Sequence, residues 1–229
     1  MNDPKALLIA GTDTDAGKTV LTTALAAYWH TYCLPRKLAL FKPVQSGVGD
    51  REFYQRLFPL EQTLEEINPL FFEAPLAPPL AAELEGRRVD LDRAWQTFET
   101  LRKQYDWVLV ESAGGLGTPI TRETTVADLA WDWHLPTVLV VPVRLGAISQ
   151  AVANVALARQ NRVFLKGIVL NCIRPCTEEE VLNWAPVKLI QTLTQVPVLG
   201  ILPHLVDPTD REKLTQIASD LDLERLIPV

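Results

Sequence analysis

The sequence predicts one α/β domain, a mostly parallel sheet with helices on both faces. Short apolar runs alternate with longer stretches of helical period, which is how βαβ units read in a sequence. The runs are continuously apolar, as strands covered on both faces must be. No polar linker, internal repeat, charge block or low-complexity tract divides the 229 residues, so 1–229 reads as a single domain.

The first strand is predicted at residues 5–10 and is followed by a helix at 18–31, where apolar residues recur at intervals of three and four. A second strand is placed at 37–42. Residues 68–80, Asn68-Pro-Leu-Phe-Phe-Glu-Ala-Pro-Leu-Ala-Pro-Pro-Leu80, then interrupt the alternation. They are too apolar for a solvated linker and are expected to form a packed loop. Helix 91–104 leads into strand 107–111, helix 126–133 into strand 137–143, and helix 147–161 into strand 167–171. A last helix, 178–194, precedes strand 198–201, and Pro186 inside it is expected to break or kink it.

Lys and Arg number 22 against 28 Asp and Glu, a net charge of −6 that argues against a nucleic-acid surface. Cys33, Cys172 and Cys176 are odd in number and a poor disulfide framework. The Cys172/Cys176 pair has no second Cys or His pair at ligand spacing, so structural thiols in a reducing compartment are expected. The apolar run at residues 6–10 lacks the length and flanks of a secretory signal, and no run approaches the roughly 18 apolar residues of a membrane span. A cytoplasmic protein with no membrane contact is the expectation.

The first strand runs directly into Gly11-Thr-Asp-Thr-Asp-Ala-Gly-Lys-Thr19, with a helix beginning at Lys18. Such a turn directs backbone N–H groups inward at a helix N-terminus, where phosphate oxygens are favoured. Gly17 lets the backbone come close, Lys18 reaches β- and γ-phosphates as a point charge, and the Thr19 hydroxyl is placed for Mg²⁺. The pattern G-x4-G-K-[ST] is met except that Thr12 stands at its first glycine and Gly11 one residue earlier. A strand-to-helix turn with an incidental lysine is the alternative.

Two more strands end in chemistry. Trp107-Val-Leu-Val-Glu111 closes on a carboxylate followed by Ser112-Ala-Gly-Gly115, and strand carboxyl ends line the ligand crevice of an open α/β sheet. Glu111 is therefore expected to face the same Mg²⁺ as Thr19, against the alternative of a surface carboxylate. The second strand ends Phe41-Lys42-Pro43-Val44-Gln45-Ser46-Gly47, and a lysine there needs an anionic partner, which phosphate supplies, unless it snorkels to the surface.

Taken together, Gly11-Thr-Asp-Thr-Asp-Ala-Gly-Lys-Thr, Lys42-Pro-Val-Gln-Ser-Gly, Val108-Leu-Val-Glu-Ser-Ala-Gly-Gly and Arg144-Leu-Gly-Ala-Ile-Ser resemble the dethiobiotin synthase family over nearly the whole chain. The resemblance implies a P-loop NTPase-like fold and a Mg²⁺- and ATP-dependent ligase. Its reaction closes the ureido ring of dethiobiotin from 7,8-diaminononanoate and CO₂ in biotin synthesis. A carbamate, then a carbamic-phosphoric anhydride, are the implied intermediates. Lys42 and Lys18 are similar to the family's pair around carbamate and γ-phosphate, with Lys42 and Thr14 alongside Lys18 as catalytic candidates. Thr19, Asp50 and Glu111 resemble its Mg²⁺ ligands; for Asp50, which opens a helix-like Asp-Arg-Glu-Phe-Tyr stretch, an N-cap role competes.

The resemblance further implies nucleotide contacts at Asp13, Asp15, Ala16, Gly17 and Val20, at Ser112, Ala113 and Gly114, at Asn171 and Cys172, and at Pro203, His204 and Leu205. Asn171 would read adenine, or else cap a turn. Ser46 would touch the substrate. Leu145, Gly146, Ala147 and Ser149 would receive the substrate carboxylate at a helix N-terminus across a homodimer interface, with an ordinary helix cap as the alternative. Partitioning ATPases share this architecture, but they resemble K-G-G-x-G-K-[ST], and Asp13 occupies the place of their extra lysine. Cobyrinate-amidating ligases add a glutaminase domain for which the chain has no room.

Overall fold

The computed structural model describes residues 5–228; residues 1–4, part of the N-terminus weighed for a secretory signal, and Val229 lie outside the described residues. In chain order the elements are β1 (Ala6–Gly11), α1 (Lys18–Tyr32), β2 (Leu38–Phe41), β3 (Val44–Ser46), α2 (Asp50–Leu57), α3 (Leu64–Ile67), β4 (Leu70–Phe72), α4 (Pro78–Leu84), α5 (Leu91–Gln104) and β5 (Trp107–Gly115). There follow α6 (Val126–Asp132), β6 (Thr137–Pro142), α7 (Ala147–Gln160), β7 (Leu165–Asn171), α8 (Glu178–Trp184), α9 (Val187–Thr194), β8 (Val198–Leu202), α10 (Arg211–Ser219) and α11 (Leu223–Leu226).

Among the described residues, six strands form one parallel sheet in the order β2-β5-β1-β6-β7-β8. β1 explains why continuous apolar runs mark these strands. Ala6, Leu8 and Ala10 point into one core, with Phe98 of α5, Ala127 of α6 and Ala151 of α7. Leu7 and Ile9 point into the other, with Leu21 of α1, Tyr54 of α2 and Leu214 of α10. Successive side chains alternate across a strand, so a sheet covered on both faces needs apolar residues at every position. From β1 the chain winds to β2 on one side and to β6, β7 and β8 on the other, and the carboxyl ends open a crevice at that switch point.

The predicted helix 178–194 is two helices, because Pro186 cannot donate a backbone N–H and instead caps α9. The packed-loop expectation for 68–80 is corrected in part. Leu70–Phe72 forms β4, which pairs in parallel with β3 in a separate two-stranded sheet, and Pro78 opens α4, a position where a missing N–H costs nothing. The segment is packed as expected, with Leu70 and Phe72 buried. Helices α10 and α11 lie beyond the predicted elements; α10 buries Leu214, Ile217 and Ala218 and packs against α1.

His30 of α1 stacks on Phe58 at 5.3 Å between ring centroids, and its Nε2 has no hydrogen-bond partner among the described residues. Burial, assisted by the Arg211 guanidinium, holds its pKa below the usual histidine range. The folded state therefore binds fewer protons than the unfolded state in mild acid. Stability is lost as pH falls below the unfolded value of about 6.5. Thermal melts of wild type and His30→Leu between pH 7 and pH 5 should show a smaller acid-side loss in the variant; parallel losses would refute this source.

Candidate active site

Six residues, 12–17, connect β1 to α1, and the glycines at 11 and 17 make the turn possible. A Cβ on Gly11 would stand 2.7 Å from the Asp13 carbonyl oxygen. Gly17 has φ +95° and a Cβ there would fall 1.8 Å from Asn171 Nδ2. The first glycine is therefore needed at 11, which leaves Thr12 free to carry a side chain. Asn171, at the end of β7, donates through Nδ2 to the Ala16 carbonyl oxygen at 3.0 Å and braces the loop from the side. Lys18 Nζ folds back over the loop to the carbonyl oxygens of Thr14 at 2.7 Å and Asp13 at 3.0 Å.

Below the loop lies a buried ionic cluster. Glu111 reaches up from β5 and is 1% exposed. Its Oε1 accepts from Thr19 Oγ1 at 3.0 Å and from Lys42 Nζ at 2.9 Å. Its Oε2 accepts from Thr22 Oγ1 at 2.8 Å and from the Tyr54 hydroxyl. Lys42 also pairs with Asp50 at the start of α2. The surface alternatives for Lys42 and Glu111 are thereby excluded: two ammoniums and two carboxylates share one site, which is how charge is tolerated out of water.

The same arrangement sets the protonation states. Burial pulls Lys42 down, but the Glu111 and Asp50 carboxylates outweigh it and hold Lys42 above the usual lysine range. Burial pulls Lys18 below that range despite the opposing pull of Glu111. Burial pushes Glu111 up, and the Lys42 and Lys18 ammoniums more than reverse it, keeping it an anion. Burial and then Glu111 drive the Tyr54 phenol well above its usual range, so Tyr54 is a fixed donor.

Two cavities open at the loop. One, of about 640 Å³, is lined by Thr14, Asp15, Lys18, Thr19, Lys42, Ser46, Asp50, Glu111, Ala113 and Gly114. Ser46 Oγ is buried there without a hydrogen-bond partner among the described residues. The other, of about 510 Å³, shares Thr14, Asp15, Lys18 and Thr19 and continues past Gly17 and Val20 to Asn171, Cys172, Pro203, His204 and Leu205. The expected nucleotide residues thus divide: 171–172 and 203–205 face one cavity, and 113–114 face the Lys42 side.

Several expected residues line neither cavity. Ala16 is fully buried and contributes its carbonyl to Asn171. Ser112 is buried and donates to the Gly114 carbonyl oxygen at 3.0 Å. Asp13 turns its carboxylate to Arg144 at 3.2 Å, a contact that ties the loop to the segment before α7. In that segment Leu145, Gly146 and Ser149 face outward, with Leu145 85% exposed, whereas Ala147 is buried in the core and Ile148 packs against it. The Ala147 N–H is taken by the Arg144 carbonyl oxygen, while Ile148 and Ser149 precede the first intrahelical bond, from Gln150 N–H to Gly146. Gly146 is the helix cap and Ser149 lies inside the first turn, so the segment does form an ordinary helix cap, made by Gly146. Asp50 likewise follows its cap, Gly49.

Tyr54 and Thr22 join the site beside the expected residues. Each carried a faint signal: Tyr54 is four residues after Asp50 and Thr22 three after Thr19, the spacings that share a helix face. The donor set of Thr19, Asp50 and Glu111 is all oxygen, with Asp50 and Glu111 meeting at the Lys42 ammonium and Thr19 joined to Glu111, so it suits a small hard cation that also takes phosphate oxygens. Among the described residues no cluster of three or more His, Cys, Asp or Glu side chains forms a metal cage.

The family described as "AAA domain" matches residues 5–212. The "ATP-dependent dethiobiotin synthetase BioD" of Gloeothece citriformis is 58% identical over 98% of this chain and 99% of its own. The protein of the same name from Synechocystis is 50% identical over 94% and 91%. Among solved structures, a ParA family ATPase from Chlorobium tepidum superposes with TM-score 0.59 at 14% identity, covering 99% of this chain and 97% of its own. MinD in the MinC:MinD cell division complex of Aquifex aeolicus gives 0.58 at 20%, covering 97% and 96%. At such identities the likeness extends to the fold alone.

Proposed function

The chain belongs to the ATP-dependent dethiobiotin synthetase family and is an ATP-dependent ligase that closes the ureido ring of dethiobiotin in biotin synthesis, and from this premise we propose how its two cavities divide the reaction. ATP enters the cavity that ends at Asn171 and Pro203–Leu205, and the diamine with CO₂ enters the cavity walled by Lys42 and Ser46. One observation carries this: the cavities share Thr14, Asp15, Lys18 and Thr19, so a triphosphate cradled by the loop presents its γ-phosphate where the two spaces meet.

One amine of the diamine adds to CO₂ with loss of a proton, giving a carbamate. A carbamate oxygen attacks the γ-phosphorus and ADP departs. The second amine then attacks the carbonyl carbon, phosphate departs, and the ring is closed. No protein nucleophile is required. Lys18 and Lys42 offset the charge that gathers on the carbamate and the transferring phosphoryl group, and Thr14 offers a hydroxyl at the same junction. Thr19, Asp50 and Glu111 would hold Mg²⁺, whose charge, when bound, neutralises the β- and γ-oxygens. The Asn171 amide nitrogen is engaged by the loop, which leaves Oδ1 as its end for an adenine amino group.

The homodimer reading rests on the exposed Leu145, Gly146 and Ser149, where a helix N-terminus is available to the substrate carboxylate of a second copy. Leu145→Asp should dissociate the dimer in analytical ultracentrifugation and lower ring closure by about a hundredfold with ATP binding kept; full activity in a monomer would refute it. A cytoplasmic location fits the same reading, with three free thiols and, among the described residues, no helix long and apolar enough to cross a membrane. The function itself is tested by incubating the protein with ATP, Mg²⁺, bicarbonate and the diamine. Phosphate release that needs the diamine, with dethiobiotin detected by mass, is expected. Release indifferent to the diamine would contradict it.

A further inference from the structure

We propose that Tyr54, with Thr22 in support, is a positioning residue: it fixes the Glu111 carboxylate so that Oε1 faces the phosphate loop, and sets the Asp50 to Glu111 spacing on which Mg²⁺ affinity depends. This rests on the Mg²⁺·ATP reading above. The two oxygens of Glu111 have different company. Oε1 meets Thr19 and Lys42, groups that line the Lys42 cavity. Oε2 meets Tyr54 and Thr22, both buried and neither part of that lining.

Two donors on one oxygen prevent the carboxylate from rotating to exchange its ends. They are not equal donors. Thr22 Oγ1 also stands 2.9 Å from the Lys18 carbonyl oxygen, and its single proton is shared between two acceptors. Tyr54 has Glu111 as the acceptor of its hydroxyl and is fully buried, so its donation is undivided. Tyr54 also belongs to α2, one turn after Asp50. The bond from Tyr54 to Glu111 therefore ties α2 to β5 and holds the two carboxylates at one separation. Partners of this kind, behind a ligating carboxylate, set both its orientation and the affinity of the metal.

Tyr54→Phe removes one oxygen from a packed ring. Calorimetric ATP binding is to be followed as Mg²⁺ is titrated, and again in EDTA. The Mg²⁺ concentration for half-saturation should rise about 10- to 100-fold in the variant, with binding in EDTA unchanged. A general structural defect would lower both. Thr22→Val should move the Mg²⁺ titration in the same direction by less, and serves alone if Tyr54→Phe does not fold. Unchanged Mg²⁺ dependence in a folded variant overturns the proposal. If wild-type binding does not depend on Mg²⁺, the metal assignment falls first and the positioning role with it, whereas ring closure by wild type is measured separately.

Discussion

Lys42→Ala is expected to lower diamine-dependent phosphate release by about 10²- to 10³-fold, the loss seen when one preorganised charge-stabilising donor is removed from a dry site. Lys42 is 5% exposed, and its ammonium pairs with Asp50 and Glu111 in the wall of the cavity proposed for the diamine. The substitution also leaves Glu111 buried without its ion-pair partner. That should cost on the order of 3–5 kcal/mol and lower the melting temperature by roughly 10 °C. Lys42→Arg separates charge from geometry, since a planar fork cannot replace a point charge between two carboxylates. ATP binding at 20 °C should survive in Lys42→Ala, because Lys18 and the loop amides remain. Activity within tenfold of wild type would remove Lys42 from the chemistry.

Gly17→Ala should abolish ATP binding. The new Cβ would lie 1.8 Å from Asn171 Nδ2, and φ +95° is a conformation that alanine adopts only with strain. Relief requires the loop to move away from Asn171, which scatters the N–H groups aimed at phosphate. A loss of at least about 100-fold in affinity is expected by calorimetry, since several charge-assisted bonds are lost together. Gly17→Ala combined with Asn171→Ala removes the collision but keeps the backbone strain and gives up the proposed adenine contact and the brace on Ala16, so it should recover only part of the binding. Full recovery would place the whole defect in the collision, and normal binding by Gly17→Ala alone would contradict the loop geometry.

The six strands of the main sheet were legible because each is covered on both faces, as the two-way packing of Ala6–Gly11 shows. β3 and β4, three residues each, are too short for any period to register. α10 begins Arg-Glu-Lys and exposes its polar face, so its four buried residues did not stand out. In the site, Lys18, Thr19, Lys42 and Glu111 were legible because a strand's carboxyl end and a helix's N-terminus are where charge is useful. Asp50 was placed by the helix it opens. Tyr54 and Thr22 were not, for what they do depends on Glu111, 57 and 89 residues away in sequence. The division of the expected nucleotide residues between two cavities also arises only when β7 and β8 are brought beside the loop.

In the proposed reaction, carbamate oxygen brought beside Lys42 and Lys18 is the group that takes the γ-phosphoryl. Carbon dioxide labelled with heavy oxygen, supplied with ATP, Mg²⁺ and the diamine in a short reaction, tests it. The phosphate released with dethiobiotin should carry one labelled oxygen, detected by mass or by the phosphorus isotope shift. Dethiobiotin formed with unlabelled phosphate would contradict it.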